Sequence, residues 1–435
     1  MHKQFILFQS RQRLILQRLH PQQHCQLRLR RRFLSTHTKH TSNDNNVNLT
    51  IKPKPGDRVI VAMSGGVDSS VTAALLKSQG YRVQGIYMRN WDTSDERGEC
   101  TSVQDWQDVQ RTCELLKIDD CKQVNFVKEY WTDVFQQTID DYAHGLTPNP
   151  DIQCNRHVKF GALLDQVPED TWLATGHYCR SVEGGKLYRG RDRKKDQSYF
   201  LSSVSSNAIQ RTLFPLGEFE SKSQVKKMAH ELGLHDIAKK RESMGICFIG
   251  QRRRFADFMS EYIDQEPGPA VDLQGRIIGQ HQGLFKYTVG QASKICFGSD
   301  KWFVAEKRLD DNTLVCVPGS NHPALFHGSC TARDWVWIDK ENTSELLFGY
   351  IPSLDSNEEG VLVDAQVRYR MAPQKALLSK LQDGRYHLKF LNPIRAMASG
   401  QQVVVYLDDW CLGGGTIQDI YNATTTSSNT TPIIL

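Results

Sequence analysis

The segment that most constrains this chain is Ser64-Gly65-Gly66-Val67-Asp68-Ser69-Ser70, set directly behind the apolar run Arg58-Val59-Ile60-Val61-Ala62-Met63. That run reads as a buried strand. The spacing of Val71, Ala74 and Leu75 then predicts a helix over 69–79. A strand that turns through glycines into a helix leaves backbone N–H groups unpaired at the helix start, where partial positive charge collects. Glycines let the backbone approach an anion closely, and the hydroxyls of Ser64, Ser69 and Ser70 add donors. The turn lacks the Gly-Lys-[Ser/Thr] ending of a P-loop, so γ-phosphoryl transfer is not implied. A phosphate cradle at the end of a first strand is the expectation.

The alternation continues downstream. A second strand is predicted over 82–88, and Val103, Trp106, Val109, Cys113 and Leu116 mark an amphipathic helix over 102–117. Strands follow at 123–127 and 172–175. Strands alternating with helices predict an α/β domain, a parallel sheet with helices on both faces. After about Arg211 the rhythm changes. Val225, Met228, Ala229 and Leu232 mark a helix with Ser221 or Ser223 as N-cap, and 252–263 reads as another. From about 270, short runs rich in Val, Tyr and Trp (361–369, 386–390, 402–407) predict an all-β C-terminal domain, a small barrel or sandwich. The expected division is 44–56 linker, 57–210 catalytic domain, 211–320 central domain, 321–420 β-barrel and 421–435 tail, with a loop insertion at 341–360.

The first 43 residues hold nine Lys or Arg and no acid, with short apolar clusters between the arginines. This predicts a mitochondrial transit peptide over 1–43 and a matrix location. Setting those nine aside leaves 45 basic against 49 acidic residues, a formal charge of −4. Nucleic-acid binding must then come from local patches such as Lys194-Lys195, Lys239-Lys240-Arg241 and Arg252-Arg253-Arg254 rather than from the whole-molecule field. No apolar run approaches the roughly 20 residues that cross a bilayer. Eleven cysteines with no C-x-x-C pair argue against a disulfide scaffold or a paired zinc knuckle.

Two of those cysteines stand in unusual settings. Asn149-Pro150-Asp151-Ile152-Gln153-Cys154-Asn155 precedes a helical pattern, which places Cys154 near a helix N-terminus, where a thiolate is favoured. Cys247 lies in Gly245-Ile246-Cys247-Phe248-Ile249-Gly250, bracketed by glycines. Taken alone, either reads more readily as buried packing than as chemistry.

The glycine-serine turn resembles that of the PP-loop ATP pyrophosphatases, an adenine nucleotide alpha hydrolase-like fold. Together with N-P-D-x-x-C-N and G-I-C-F-I-G, the series Gly85–Trp91, Ala174–Tyr178, Lys195–Leu201, Phe214–Gly217, His281–Leu284 and Cys411–Gly415 resembles, in order from about 57 to 418, the tRNA-specific 2-thiouridylases of bacteria and mitochondria. The resemblance implies that ATP activates the C2 oxygen of uridine 34 as an adenylate, with pyrophosphate leaving into the turn. It further implies that Cys247 carries a persulfide from an upstream sulfur donor, and that Cys154 is the nucleophile that ends in a disulfide with Cys247. Asp151 is the implied acid/base. ATP would lie against Ala62, Met63, Ser64, Gly65, Gly66, Val67, Asp68, Ser69, Met88 and Gly176, with Asp68 helping to hold Mg²⁺. Transfer RNA would meet Asn149, Pro150, Asp151, His177, Lys195, Asp196, Gln197, Arg368, Tyr369 and Gln401. A monomer is expected.

Ala292-Ser293-Lys294 departs from the relatives, which continue there with Arg or Lys and a glycine-rich stretch, and Met244 stands where they usually have Thr. Three other readings compete. Cys154, Cys247 and Asp151 could hold iron–sulfur or zinc, although two cysteines fall short of a Cys₄ set. Another PP-loop adenylating enzyme, an amide-forming ligase or different thiolase, would explain 57–90 but not both cysteine motifs. A non-enzymatic RNA-binding relic should have lost Asp68, Cys154 or Cys247.

Overall fold

A computed structural model describes residues 53–91, 101–182, 184–240, 255–339, 343 and 360–422. The transit segment expected at 1–43, Met244, Cys247, Arg241, Arg252–Arg254 and nearly all of the 341–360 insertion lie outside the described residues.

The chain opens with strand β1 (Arg58–Met63), helix α1 (Val67–Ser78), β2 (Arg82–Arg89), α2 (Thr101–Leu115) and β3 (Cys121–Asn125). Helix α3 runs through Val127–Tyr130, a π-type turn at Trp131–Phe135 and Gln136–Ala143. Helix α4 likewise joins Pro150–Gln153, a π-type stretch Cys154–Ala162 and Leu163–Asp165. Then come β4 (Thr171–Thr175), the hairpin β5 (Cys179–Val182) and β6 (Lys186–Arg189), α5 (Ser206–Gln210), β7 (Thr212–Leu213), α6 (Lys222–Glu231), α7 (His235–Lys239) and α8 (Phe255–Met259).

Five strands form a parallel sheet in the order β3-β2-β1-β4-β7. Strand alternation explains its two covered faces. Val59, Val61 and Met63 turn toward α1 and α2, packing with Ala73, Leu76, Val109 and Cys113. Ile60 turns the other way, into a core with Phe126, Tyr130, Val134 and Leu163 from α3 and α4. The chain winds from β1 out to β3, then returns to place β4 on β1's other side. The gap above β1 and β4 is therefore a topological switch point, where open parallel sheets bind ligands.

The boundary expected near residue 210 moves. β7 pairs in parallel with β4, Leu213 opposite Ala174. Val225 and Ala229 of α6 pack with Val67 and Val71 of α1. The apolar stripe that marked α6 in the sequence is buried on the parallel-sheet domain, so residues 211–239 belong to it physically rather than to the central domain. Ser221 is the N-cap, with the Gln224 side chain reaching back to its N–H in a capping box.

The central domain holds β8 (Gly268–Val271), β9 (Ile277–His281), β10 (Ala292–Phe297), β11 (Asp300–Arg308) and β12 (Thr313–Pro318), in the order β10-β11-β12-β8-β9. The departure at Ala292-Ser293-Lys294 is an edge irregularity in β10, with Ser293 buried and Lys294 exposed at φ 62°. β13 (Phe326–Trp337), β14 (Val361–Gln366), β15 (Gln374–Lys380), β16 (Tyr386–Arg395), β17 (Gln402–Leu407) and β18 (Trp410–Asn422) form an antiparallel barrel closed by β13–β18. Its glycines have a steric reason. A Cβ on Gly414 would stand 2.1 Å from the Val403 carbonyl oxygen, and one on Gly413 2.1 Å from that of Val336. The β5–β6 hairpin leaves the parallel-sheet domain and adds to this barrel, with Leu187 opposite Cys411 and Tyr188 opposite Trp410. Among the described residues no helix is long and apolar enough to cross a membrane.

Candidate active site

The turn expected to cradle phosphate leaves β1 at Met63 and enters α1 at Val67, at the switch point. Gly65 adopts φ 71°, and a Cβ there would sit 2.6 Å from the Asp105 carbonyl oxygen, so only glycine fits. Ser64 donates its N–H to Ser69 Oγ at 3.1 Å, and the Ser69 and Ser70 hydroxyls donate to the Gly66 carbonyl at 3.2 and 3.0 Å. These bonds hold the turn in shape. Gly176, beyond β4, closes the other wall: a Cβ there would meet the Asp68 carbonyl carbon and Ser69 nitrogen at 3.0 Å. Ala62 is half-buried on the α3–α4 face of the sheet, and Met88, near the end of β2, packs against the same core.

Asp68 occupies the first turn of α1. Its Oδ1 accepts from the Tyr178 hydroxyl at 2.7 Å and its Oδ2 from Lys222 Nζ at 2.8 Å. Lys240 reaches the turn from α7's end, donating to the Gly65 carbonyl at 3.3 Å, to Asp105 at 3.1 Å and to Asp108. Burial holds the Asp105 carboxyl above its usual range, with Lys240 opposing that shift.

The second centre lies on α4. Asn149 is its N-cap residue and Pro150 its first residue, which suits a ring that lacks an N–H. Asp151 falls in the first turn, where burial pushes its carboxyl up to about 6 against the pull of Lys159. A group poised there exchanges protons near neutral pH. Cys154 starts the π-type stretch one turn further in and is 8% exposed. It sits near the helix N-terminus, one turn inside the first turn, where the helix dipole is strongest.

Asn155, Lys159 and His177 join the two centres. Lys159 Nζ donates to Asn155 Oδ1 at 3.0 Å and lies 3.4 Å from His177 Nε2, while His177 Nδ1 is 2.8 Å from Thr175 Oγ1. Burial, then the Lys159 charge, hold His177 well below its usual pKa, so the ring is neutral. His177 sits between Gly176, which packs against the backbone of Asp68, and Tyr178, which bonds its carboxylate.

The residues expected to meet RNA separate into two kinds. Asn149, Tyr369 and Gln401 converge. The Tyr199 hydroxyl bonds the Asn149 side chain and donates to the Gln402 carbonyl at 2.9 Å, and Phe200 lies 4.3 Å from Tyr369 between ring centroids. The Thr147 N–H, two residues before Asn149, donates to the Ser399 carbonyl at 2.8 Å, which ties this loop to the barrel beside Gln401. Arg368 is half-buried beside Tyr369, its pKa lowered by burial and by Arg395. Lys195, Asp196 and Gln197 form a loop against Tyr178, and two of these three turn inward. Asp196 accepts from Arg189 Nε and the Gly190 N–H, both at 2.9 Å, and from Ser198. Gln197 accepts from the Tyr178 N–H at 3.0 Å. These two shape the loop that carries Lys195.

Cys247 lies outside the described residues, so its distance from Cys154 does not enter this geometry. Among the described residues no three His, Cys, Asp or Glu side chains gather as a metal site. Sequence reasoning missed Lys159, Lys222 and Lys240, because a lysine on a helix reads as a solvated face until tertiary structure shows what it touches.

Family models match nearly the whole described chain in order. They are described as the tRNA methyl transferase HUP domain over residues 57–251, its PRC-barrel domain over 256–318 and the aminomethyltransferase beta-barrel domain over 327–417. The chain is 42% identical over 372 residues to the tRNA-specific 2-thiouridylase MnmA of Staphylococcus aureus strains JH9 and Newman, an alignment spanning 84% of this chain and 96% of each relative. Among solved structures, NMN synthetase from Francisella tularensis is similar at 18% identity and a TM-score of 0.29, over 45% of this chain and 70% of that one. A 4-thiouridine synthetase–RNA complex with bound ATP reaches 13% and 0.28, over 48% and 50%. Likeness that faint carries no argument; the identity to the curated relatives, along almost their full length, shows the family, and this chain belongs to the tRNA-specific 2-thiouridylases.

Proposed function

We propose that this chain is a mitochondrial tRNA 2-thiouridylase that adenylates the C2 oxygen of wobble uridine 34 and replaces it with sulfur. The observation that carries the reading is the His177–Lys159 bridge, which sets the phosphate cradle at 64–69 directly beside the helix bearing Asp151 and Cys154. An adenylating centre and a thiol centre that share one wall are what activation followed by sulfur attack requires.

In the first step the uridine oxygen attacks the α-phosphorus of ATP, the bond to the β-phosphate breaks, and pyrophosphate leaves into the cradle. Asp68, a carboxylate at the cradle mouth, is the residue that would hold Mg²⁺, which would neutralise charge on the leaving group. Asp151 then moves the proton on the uridine ring that activation displaces. Sulfur arrives as a persulfide on Cys247, supplied by a cysteine desulfurase or a relay protein. Its terminal sulfur attacks C2 and AMP leaves. Cys154 attacks the inner sulfur, so that one S–S bond breaks as the Cys154–Cys247 disulfide forms, and an external thiol reductant resets the pair. The anticodon loop presents its base unpaired, as single-stranded recognition requires. The matrix location rests on the acid-free, arginine-rich residues 1–43, and the monomer on its being the simplest assembly that contains the whole site.

The central test is thiolation of a wobble-uridine tRNA by Cys154→Ser and Cys247→Ser. Each should lose 2-thiouridine formation while keeping tRNA affinity, and full activity in either rejects the mechanism. Deleting 1–43 should leave the protein outside mitochondria; continued import refutes the location. Light scattering of the purified chain reads its mass directly.

A further inference from the structure

This inference rests on the reading above and concerns the fate of the pyrophosphate. The turn 64–70 contains no Lys or Arg of its own. Backbone N–H groups make the cradle while the Ser69 and Ser70 hydroxyls are turned to the Gly66 carbonyl, and an anion with several negative charges leaving in a protein cleft calls for a cation as well. Two described ammonium groups reach the turn. Lys240 is bound to Asp105, Asp108 and the Gly65 carbonyl, so two carboxylates cancel its charge toward the cradle. Lys222 meets the turn at Asp68 itself.

Lys222 Nζ pairs with Asp68 Oδ2 at 2.8 Å and lies 5.7 Å over the Tyr178 ring. Its side chain is only 12% exposed, so the ammonium is confined at the cradle wall rather than spread into solvent. Its backbone is pinned, the N–H donating to Asp192 Oδ2 at 3.0 Å where α6 begins. A fixed base with a flexible four-carbon stem lets the head group move while its origin does not. The other oxygen of Asp68 is held by the Tyr178 hydroxyl at 2.7 Å, so the carboxylate keeps its orientation when the ammonium swings away.

We propose that Lys222 is the cation that receives the leaving pyrophosphate, exchanging its Asp68 partner for phosphate oxygens during each turnover. No covalent bond to Lys222 forms and its proton stays in place; one anionic partner replaces another as the α–β P–O bond breaks. The carboxylate it releases faces the cradle with its full charge, free to hold a divalent cation. Asp68 would be the residue that holds such a cation once Lys222 has moved to the anion.

Titration calorimetry of the full chain with inorganic pyrophosphate, without metal, tests this. Lys222→Met should weaken binding about tenfold or more, the usual scale for a charge-assisted hydrogen bond, and Lys222→Arg should restore most of it. Asp68→Asn, which removes the carboxylate charge that Lys222 pairs with at the cradle, should tighten metal-free binding. Lys227→Met, on the exposed face of α6 and 3.8 Å from Glu231, should leave it unchanged. Wild-type affinity in Lys222→Met, or a loss in Asp68→Asn as large as that in Lys222→Met, overturns the proposal. Should circular dichroism show Lys222→Met unfolded, the Lys222→Gln and Asp68→Asn affinities decide between the same two outcomes. A wild-type chain that neither binds pyrophosphate nor catalyses tRNA-dependent ATP–pyrophosphate exchange would instead sink the adenylation reading itself.

Discussion

Lys159 Nζ stands 3.4 Å from His177 Nε2 and 3.0 Å from Asn155 Oδ1, so one ammonium ties the Cys154 helix to the end of β4. An ammonium only donates, which makes Nε2 the acceptor and leaves Nδ1–H to donate to Thr175 Oγ1 at 2.8 Å. The histidine is held in one tautomer by its neighbours on both sides.

Replacing that cation should move two titrations in one direction. Lys159 lowers the pKa of both Asp151 and His177. In Lys159→Met the Asp151 carboxyl should rise above about 6, and His177 should rise toward its ordinary value. The pH–rate profile for thiolation should shift to higher pH, with a rate loss of about tenfold at neutrality. A profile superimposable on the wild type would remove Lys159 from the electrostatics of the site.

Asp151 should also leave a mark on stability. Its folded pKa is raised above the unfolded value, so the protein gains from protonating it. That gain is complete below about pH 4 and is lost as pH rises through about 6. Asp151→Asn should therefore match the wild type near pH 4 and be more stable at pH 8, by about 2 kcal/mol at most because the group is partly exposed. Paired denaturant titrations at the two pH values measure this. The same variant should have no thiolation activity.

Two glycines should fail in different ways. Gly65→Ala forces a side chain into φ 71° and against the Asp105 backbone, so it should cost about 1–3 kcal/mol and abolish ATP–pyrophosphate exchange. At Gly176 the backbone conformation is ordinary and the clash is with α1's first turn, at 3.0 Å. Gly176→Ala should therefore raise the KM for ATP more than it lowers the melting temperature. Equal losses in both quantities would contradict this assignment.

Lys307 offers a test of how the loop before Asn149 is held. Burial lowers its pKa to about 8, and its ammonium lies 3.5 Å from the Leu146 carbonyl. A depressed folded pKa costs stability wherever the unfolded chain is charged and the folded one must be too. Lys307→Met should thus be more stable than the wild type at pH 7, by about 1–2 kcal/mol, with the difference vanishing as pH rises past 10. Thermal melts at pH 7 and 10 distinguish this from a simple packing effect.

Much of this was legible in the sequence, for physical reasons that differ by region. The run at 58–63 and the glycine turn placed β1, α1 and the cradle because strand burial and helix-start chemistry are local. The strand expected over 402–407 coincides with β17 because alternation survives in a barrel wall. The boundary near 210 was not legible: α6 carries an ordinary apolar stripe, and nothing local says that the stripe packs on α1. Nor was the inward turn of Asp196, whose four donors come from Arg189, Gly190 and Ser198 across a loop. The bridge from Lys159 to His177 spans 18 residues and exists only once α4 and β4 are side by side.

The hairpin β5–β6 begins just past Gly176 and ends as an added strand on the barrel, with Leu187 opposite Cys411. Swinging the barrel away from the nucleotide domain therefore means tearing ladder bonds rather than bending a tether. The span from cradle to Tyr369 is set like a gauge block, and whatever touches both ends must fit that fixed length.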